Sequence, residues 1–107
     1  MAEEKLGFEE ATVSLIAFAG GAKNDYIESI QFAKEGKFDE AEEAYQRGNE
    51  NYQLAHAAHF DILNSEEKPE GMMAEVLLIH SEDQLSGAET YKIFAQELID
   101  LYRKLSD

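Results

Sequence analysis

The stretch FDEAEEAYQRGNENYQLAHAAHFDILN, residues 38–64, decides the fold. Within it Phe38, Ala41, Tyr45, Gly48, Tyr52, Ala55, His59 and Ile62 recur in strictly alternating steps of three and four. That spacing places all eight on one stripe of an α-helix packed in a bundle. The positions between them (Glu40, Glu42, Glu43, Gln46, Arg47, Asn49, Glu50) are polar and read as a solvated face. Outward from this stretch the chain breaks at Gly36-Lys37 and again across residues 64–71, which hold Pro69, the single proline. Three helical segments are predicted, at about residues 8–35, 38–64 and 72–105. Plentiful Ala, Glu, Leu and Gln and sparse β-branched residues favour helix throughout. No repeat, linker or low-complexity run divides the chain, so residues 1–107 are expected to form one all-α domain.

The two flanking segments carry more apolar surface than one bundle can cover. Residues 11–22, ATVSLIAFAGGA, hold no charge on any face. A helix that is apolar all round is normally buried all round, whereas a monomeric three-helix bundle leaves each helix an outer face. Val76-Leu77-Leu78-Ile79 repeats the problem in the third segment. The economical solution is a homo-oligomer joined through the first halves of the first and third helices, since such a surface is otherwise an aggregation risk. The third segment has its own periodic line, Met73, Val76, His80, Asp83, Gly87, Thr90 or Tyr91, Phe94, Leu98, Leu101 and Leu105, read as a second bundle seam.

The chain of 107 residues has 23 acidic and 9 basic side chains, a formal charge of −14. Phosphate backbones are bound by clustered Lys and Arg, so nucleic acid is excluded as a partner, and an anionic membrane surface with it. A 44% apolar content is too high for a disordered acidic tail. With no cysteine, disulfide scaffolds, Cys-type zinc sites and thiol catalysis are absent. The start, Met1-Ala2-Glu3-Glu4-Lys5, lacks the basic and apolar regions of a signal peptide, and no uncharged run is long enough to span a membrane. A cytoplasmic protein without membrane insertion is expected.

His80 and Asp83, three residues apart, share a helical face that is either the bundle seam or an oligomer interface. From spacing alone the plainer reading is a satisfied core histidine beside a solvated rim acid. If a symmetry axis passes nearby, copies of Asp83 face one another, repelling by about 4 kcal/mol at ~4 Å. They would then take up a cation or share protons. His56 and His59 with His80 and Asp83 contain zinc-type ligands, although not at the spacing of zinc proteases. His59 otherwise reads as a substitute for an apolar seam residue, and His56 as a partly buried polar contact. No phosphate-binding glycine loop or serine nucleophile elbow occurs, and Gly20-Gly21 reads as close helix packing or a kink. Residues 36–45 resemble one helix of a tetratricopeptide repeat, but no second copy follows.

Taken in order, several pieces resemble the lactose/cellobiose-type IIA component of the bacterial phosphoenolpyruvate-dependent sugar phosphotransferase system. They are Ala19-Gly20-Gly21-Ala22-Lys23, residues 33–42 (AKEGKFDEAE), Ala55-His56, Leu77-Leu78-Ile79-His80-Ser81-Glu82-Asp83-Gln84-Leu85, and residues 97–105 (ELIDLYRKL). The resemblance covers nearly the whole chain. It implies a homotrimer of antiparallel three-helix bundles. It implies that His80 accepts a phosphoryl group from the phosphocarrier HPr, on Nε2, and passes it to a cysteine of a IIB partner. It further implies that three copies of Asp83 surround a divalent metal, magnesium, on the trimer axis. A neutral imidazole is a competent nucleophile near pH 7, and carboxylate oxygens suit magnesium.

The chain departs from the family pattern at three places. Ser81 and Glu82 stand where Ala-Gln is usual, Gly20-Gly21-Ala22-Lys23 where Gly-Asn-Ala-Arg is usual, and Ser86-Gly87-Ala88 replaces the usual Met-Thr. Lysine keeps the charge of arginine without its planar fork. A carboxylate at Glu82 would repel an incoming phosphoryl group if it faced His80. The competing reading is therefore a non-catalytic acidic helical module, interacting or regulatory, docked to a basic partner.

Overall fold

The computed structural model describes residues 6–106; the acidic start at residues 1–5 lies outside them. It holds three helices, α1 (Phe8–Lys34), α2 (Phe38–Leu63) and α3 (Gly71–Ser106). Their ends fall within a residue of the expected ones, because the breaking residues act locally. Gly36 takes φ +77°, the left-handed region where a side chain is penalised, and closes α1 with Gly36 N–H to Ala33 O and Lys37 N–H to Phe32 O. Glu9 and Glu10 lie in the first turn of α1, Asp39 and Glu40 in that of α2, and Arg103 and Lys104 in the last turn of α3. All six charges complement the helix dipole.

The chain runs up, down and up. Arg103 near the end of α3 meets Glu42 near the start of α2 at 3.1 Å, while Phe8 and Thr12 of α1 gather with Ala74 and Leu77 at the start of α3. Helix α1 packs along both neighbours, and α2 and α3 touch much less. Long side chains bridge that second gap: Arg103 lies over the Phe38 ring, and Lys92 over the Tyr52 ring. Among the described residues no helix is long and apolar enough to cross a membrane.

The α2 stripe faces inward as its period requires, with Ala41, Tyr45, Gly48, Ala55 and Ile62 buried and Phe38, Tyr52 and His59 half-buried. Gly48 meets Tyr26 of α1. A Cβ there would stand 2.5 Å from Tyr26 Cε1 and 2.7 Å from Cδ1. The ring cannot retreat, because it is fully buried, packs on Tyr45 at 5.5 Å and donates its hydroxyl to Asn49 Oδ1 at 2.8 Å. Burial, and then the neighbouring Tyr45 and Tyr52, push its pKa up, so it stays a neutral donor. Gly48→Ala is therefore expected to destabilise the chain. Overpacking costs about 1–3 kcal/mol, less up to ~1 kcal/mol of improved helix propensity. A lower urea midpoint at unchanged slope is the expected measurement; an unchanged midpoint counts against this packing.

Of the Gly20-Gly21 pair, Gly21 is the closely packed member, while a Cβ on Gly20 would meet nothing within 4 Å. A Cβ on Gly21 would come 3.2 Å from Asn51 Nδ2, and α1 continues unbroken through the pair.

The third helix corrects the seam reading. The line Met73, Val76, His80, Asp83, Thr90, Tyr91, Phe94, Leu101 and Leu105 is exposed, and the bundle is met instead by Ser81, Leu85, Ala88, Ala95 and Ile99. Small residues win the inner face because α1 also presents alanines there, Ala11, Ala19, Ala22 and Ala33, and close helix approach needs them. The larger side chains are left outside. Met73 is 81% exposed, Phe94 58% and Leu105 70%. The shape agrees: the chain measures 54 × 35 × 14 Å with a radius of gyration of 16.2 Å, against about 13 Å for a compact chain of this length.

Candidate functional site

Helix α3 carries the candidate residues on its outer side. His80 and Asp83 are both exposed, three residues apart, and neither forms a hydrogen bond or ion pair among the described residues. The satisfied core histidine is thereby excluded for His80. Its ring stands in the apolar outer line, one turn beyond Val76, with both nitrogens open to a partner.

Glu82 does not share that face. Two residues along a helix are about 200° round it, and the Glu82 carboxylate reaches α2, where Oε2 meets His59 Nε2 at 3.0 Å. The extra acid next to His80 is turned away and engaged. Ser81 is likewise a change inside the bundle: it is fully buried and donates its hydroxyl to Leu78 O at 2.7 Å. Such a pocket takes alanine or serine and nothing much larger.

The four residues considered as a zinc set are not brought together. His59 is held by Glu82 across the α2–α3 gap, and exposed His56 meets the Tyr52 ring edge-on at 4.6 Å. His80 and Asp83 stand on the other side of α3. Among the described residues no three His, Asp or Glu side chains converge as metal ligands. His59 does occupy its seam position, half-buried, but with a carboxylate partner in place of apolar neighbours.

A contact between α1 and α3 escaped the sequence reading. Lys23 of α1 extends to α3, where Nζ donates to Gln84 Oε1 at 3.2 Å and sits 5.3 Å from the centre of the Tyr91 ring. Gly87 lies beneath it, with a virtual Cβ 3.6 Å from Nζ. His80, Gln84, Gly87 and Tyr91 follow one another at i, i+4, i+7 and i+11, a single stripe. The sequence marked Lys23 as a lysine where the family usually has arginine, but gave no sign that it reaches α3.

Comparison with known proteins gives the family. Residues 10–103 match the family described as "PTS system, Lactose/Cellobiose specific IIA subunit". The chain is 34% identical over 99 residues to the lactose-specific EIIA component of Staphylococcus epidermidis, covering 92% of this chain and 90% of the relative. It is 32% identical over 95 residues to the oligo-beta-mannoside-specific EIIA component of Bacillus subtilis, covering 89% and 86%. A third relative, the lichenan-specific enzyme IIA component of Bacillus subtilis, is 29% identical over 99 residues, covering 92% and 90%. No solved structure matches the chain. The chain belongs to the lactose/cellobiose-specific IIA family and is a component of a sugar phosphotransferase system.

Proposed function

We propose that this chain is a cytoplasmic phosphoryl carrier that takes phosphate from HPr on His80 and passes it to a IIB component during uptake of lactose/cellobiose-class oligosaccharides. The observation that carries the reading is His80 itself, an exposed imidazole with no partner among the described residues, on a chain of this family. Nε2 attacks the phosphorus of the donor's phosphohistidine, forming one N–P bond as the donor's breaks. The donor ring leaves with the bonding pair, and each ring keeps its one N–H, so no net proton is exchanged. Attack by a cysteine thiolate of IIB then forms an S–P bond and returns His80 to neutral imidazole. The sugar never meets this chain, so its identity is set elsewhere in the system.

Three copies are proposed to assemble through the exposed apolar line of α3 and the start of α1, where Val13 is 55% exposed. The distribution on α3 supports this: Ala88 and Ala95 are inside, while Met73, Phe94, Leu101 and Leu105 are outside. The same assembly accommodates magnesium. One chain offers only Asp83, exposed and unpaired among the described residues, so protein ligands must come from several copies. Carboxylate oxygens suit the ion, which would supply neutralisation of their charge. Under a chelator, Asp83→Asn is expected to assemble at lower concentration than the unsubstituted chain, because the repulsion is gone. Added magnesium should tighten assembly of the unsubstituted chain alone. Sedimentation with and without the ion checks this, and no magnesium effect on the unsubstituted chain refutes the metal.

Incubation with phosphoenolpyruvate, enzyme I and HPr tests the carrier reading. The expected product is an acid-labile adduct of one phosphate, mapped by peptide mass analysis to His80. A chain that gains no mass is the interacting module, and the carrier reading falls.

A further inference from the structure

A phosphoryl group brings up to about two negative charges near neutral pH. On a chain of net charge −14, with Asp83 three residues from His80, such a group needs a nearby cation. Most of the cations with defined contacts are committed elsewhere. Arg47 is held by Glu28 and Asp25, Arg103 by Glu42 and Lys37 by Glu35. Lys92 lies over Tyr52 on the α2 side of α3.

Lys23 is different in both place and partners. It is half-buried, it reaches the stripe of α3 that carries His80, and among the described residues it is held by neutral groups, the Gln84 amide and the Tyr91 ring. Among the described residues no carboxylate is paired with Lys23, so its charge is in reserve. Gln84 is one turn from His80, a rise of about 6 Å, which a lysine stem can span by rotating about its own bonds. Gly87 leaves the ammonium room, since any side chain longer than alanine's would contend with it there.

Resting on the reading of His80 as phosphoacceptor, we propose that Lys23 is the residue that positions and neutralises the phosphoryl group on His80, stored between transfers on Gln84 and Tyr91. No bond to Lys23 forms or breaks in the transfer, and its ammonium keeps all its protons. It acts by charge-assisted hydrogen bonds to phosphoryl oxygens.

The test compares the unsubstituted chain, Lys23→Met and Lys23→Arg in phosphorylation by HPr, read as initial rate and as half-life of the isolated adduct. Lys23→Met keeps the packed stem and removes the charge. It is expected to lose about tenfold or more in rate, the scale of one hydrogen bond to a charged group, and to shorten the half-life. Lys23→Arg should return both to within about twofold, because charge and donors are restored. Equal rates in all three chains overturn the assignment of Lys23 while leaving His80 in place. Failure of Lys23→Arg to rescue, with both variants showing lowered melting temperatures, marks a packing role and overturns it as well. An unsubstituted chain that is never phosphorylated refutes the carrier reading first, a result separate from either.

Discussion

His80→Ala is expected to abolish the phosphate adduct completely, while His56→Ala and His59→Ala leave it in place. The three histidines differ in what occupies them. His59 Nε2 is bonded to Glu82 at 3.0 Å, so a phosphorus atom approaching that nitrogen would have to displace a carboxylate and then meet its charge. His56 is exposed, but its ring lies edge-on to Tyr52, on an α2 face from which Glu50 and Gln53 also project. The nitrogens of His80 have no hydrogen-bond or ion-pair partner among the described residues, and its ring, free of any aromatic neighbour there, stands in the exposed line of α3 with Val76. Apolar surroundings matter because a docking protein must exclude water from the transferring group, and Val76 and Ile79 supply surface for that. Exposed His80 has no hydrogen bond or ion pair among the described residues to lose, so the variant should keep its helix content and melting temperature. Mass analysis after incubation with HPr decides the matter. An adduct that persists in His80→Ala places the acceptor elsewhere.

The sequence was most legible where periodicity and packing coincide. The α2 stripe from Phe38 to Ile62 is buried or half-buried at every predicted position, because there the apolar residues are those that meet α1. On α3 the same reasoning picked the wrong face. Hydropathy follows the largest apolar side chains, and here those are outside, whereas the inner line of Ser81, Ala88 and Ala95 is nearly silent to it. The spacing of His80 and Asp83 correctly put them on one face, but spacing does not say what covers a face. The direction of Glu82 was open for a similar reason: its bond to His59 joins residues 23 apart on two helices. Lys23 and Gln84 are 61 residues apart, and no local pattern announces their pairing.

That reversal on α3 leads to the second large effect, an assembly that one charge should dismantle. Phe94 lies on the outer line, 58% exposed in the single chain, so Phe94→Glu should cost an isolated chain almost nothing. In the proposed trimer the same position is covered, and three carboxylates would be drawn together. Each like-charge pair at about 4 Å costs ~4 kcal/mol at an effective dielectric of 20, and desolvation adds several kcal/mol per ion. Interfaces rarely survive such a loss at a central position. Light scattering should therefore give about three times the 12.1 kDa chain mass before substitution and a single chain mass after it. Circular dichroism should show the helices retained, because the bundle's own contacts run through Ala88, Ala95 and Ile99 on the inner face. An unsubstituted chain that already scatters as a monomer removes the trimer. A variant that stays assembled places the interface elsewhere, and the exposed line of α3 then needs another occupant. The contrast with Asp83→Asn is what makes the pair informative. One substitution adds charge to the line and should break the assembly, the other removes charge from it and should tighten the assembly without metal. Opposite signs along one helical face are expected of an interface, and a merely solvated face would respond to neither.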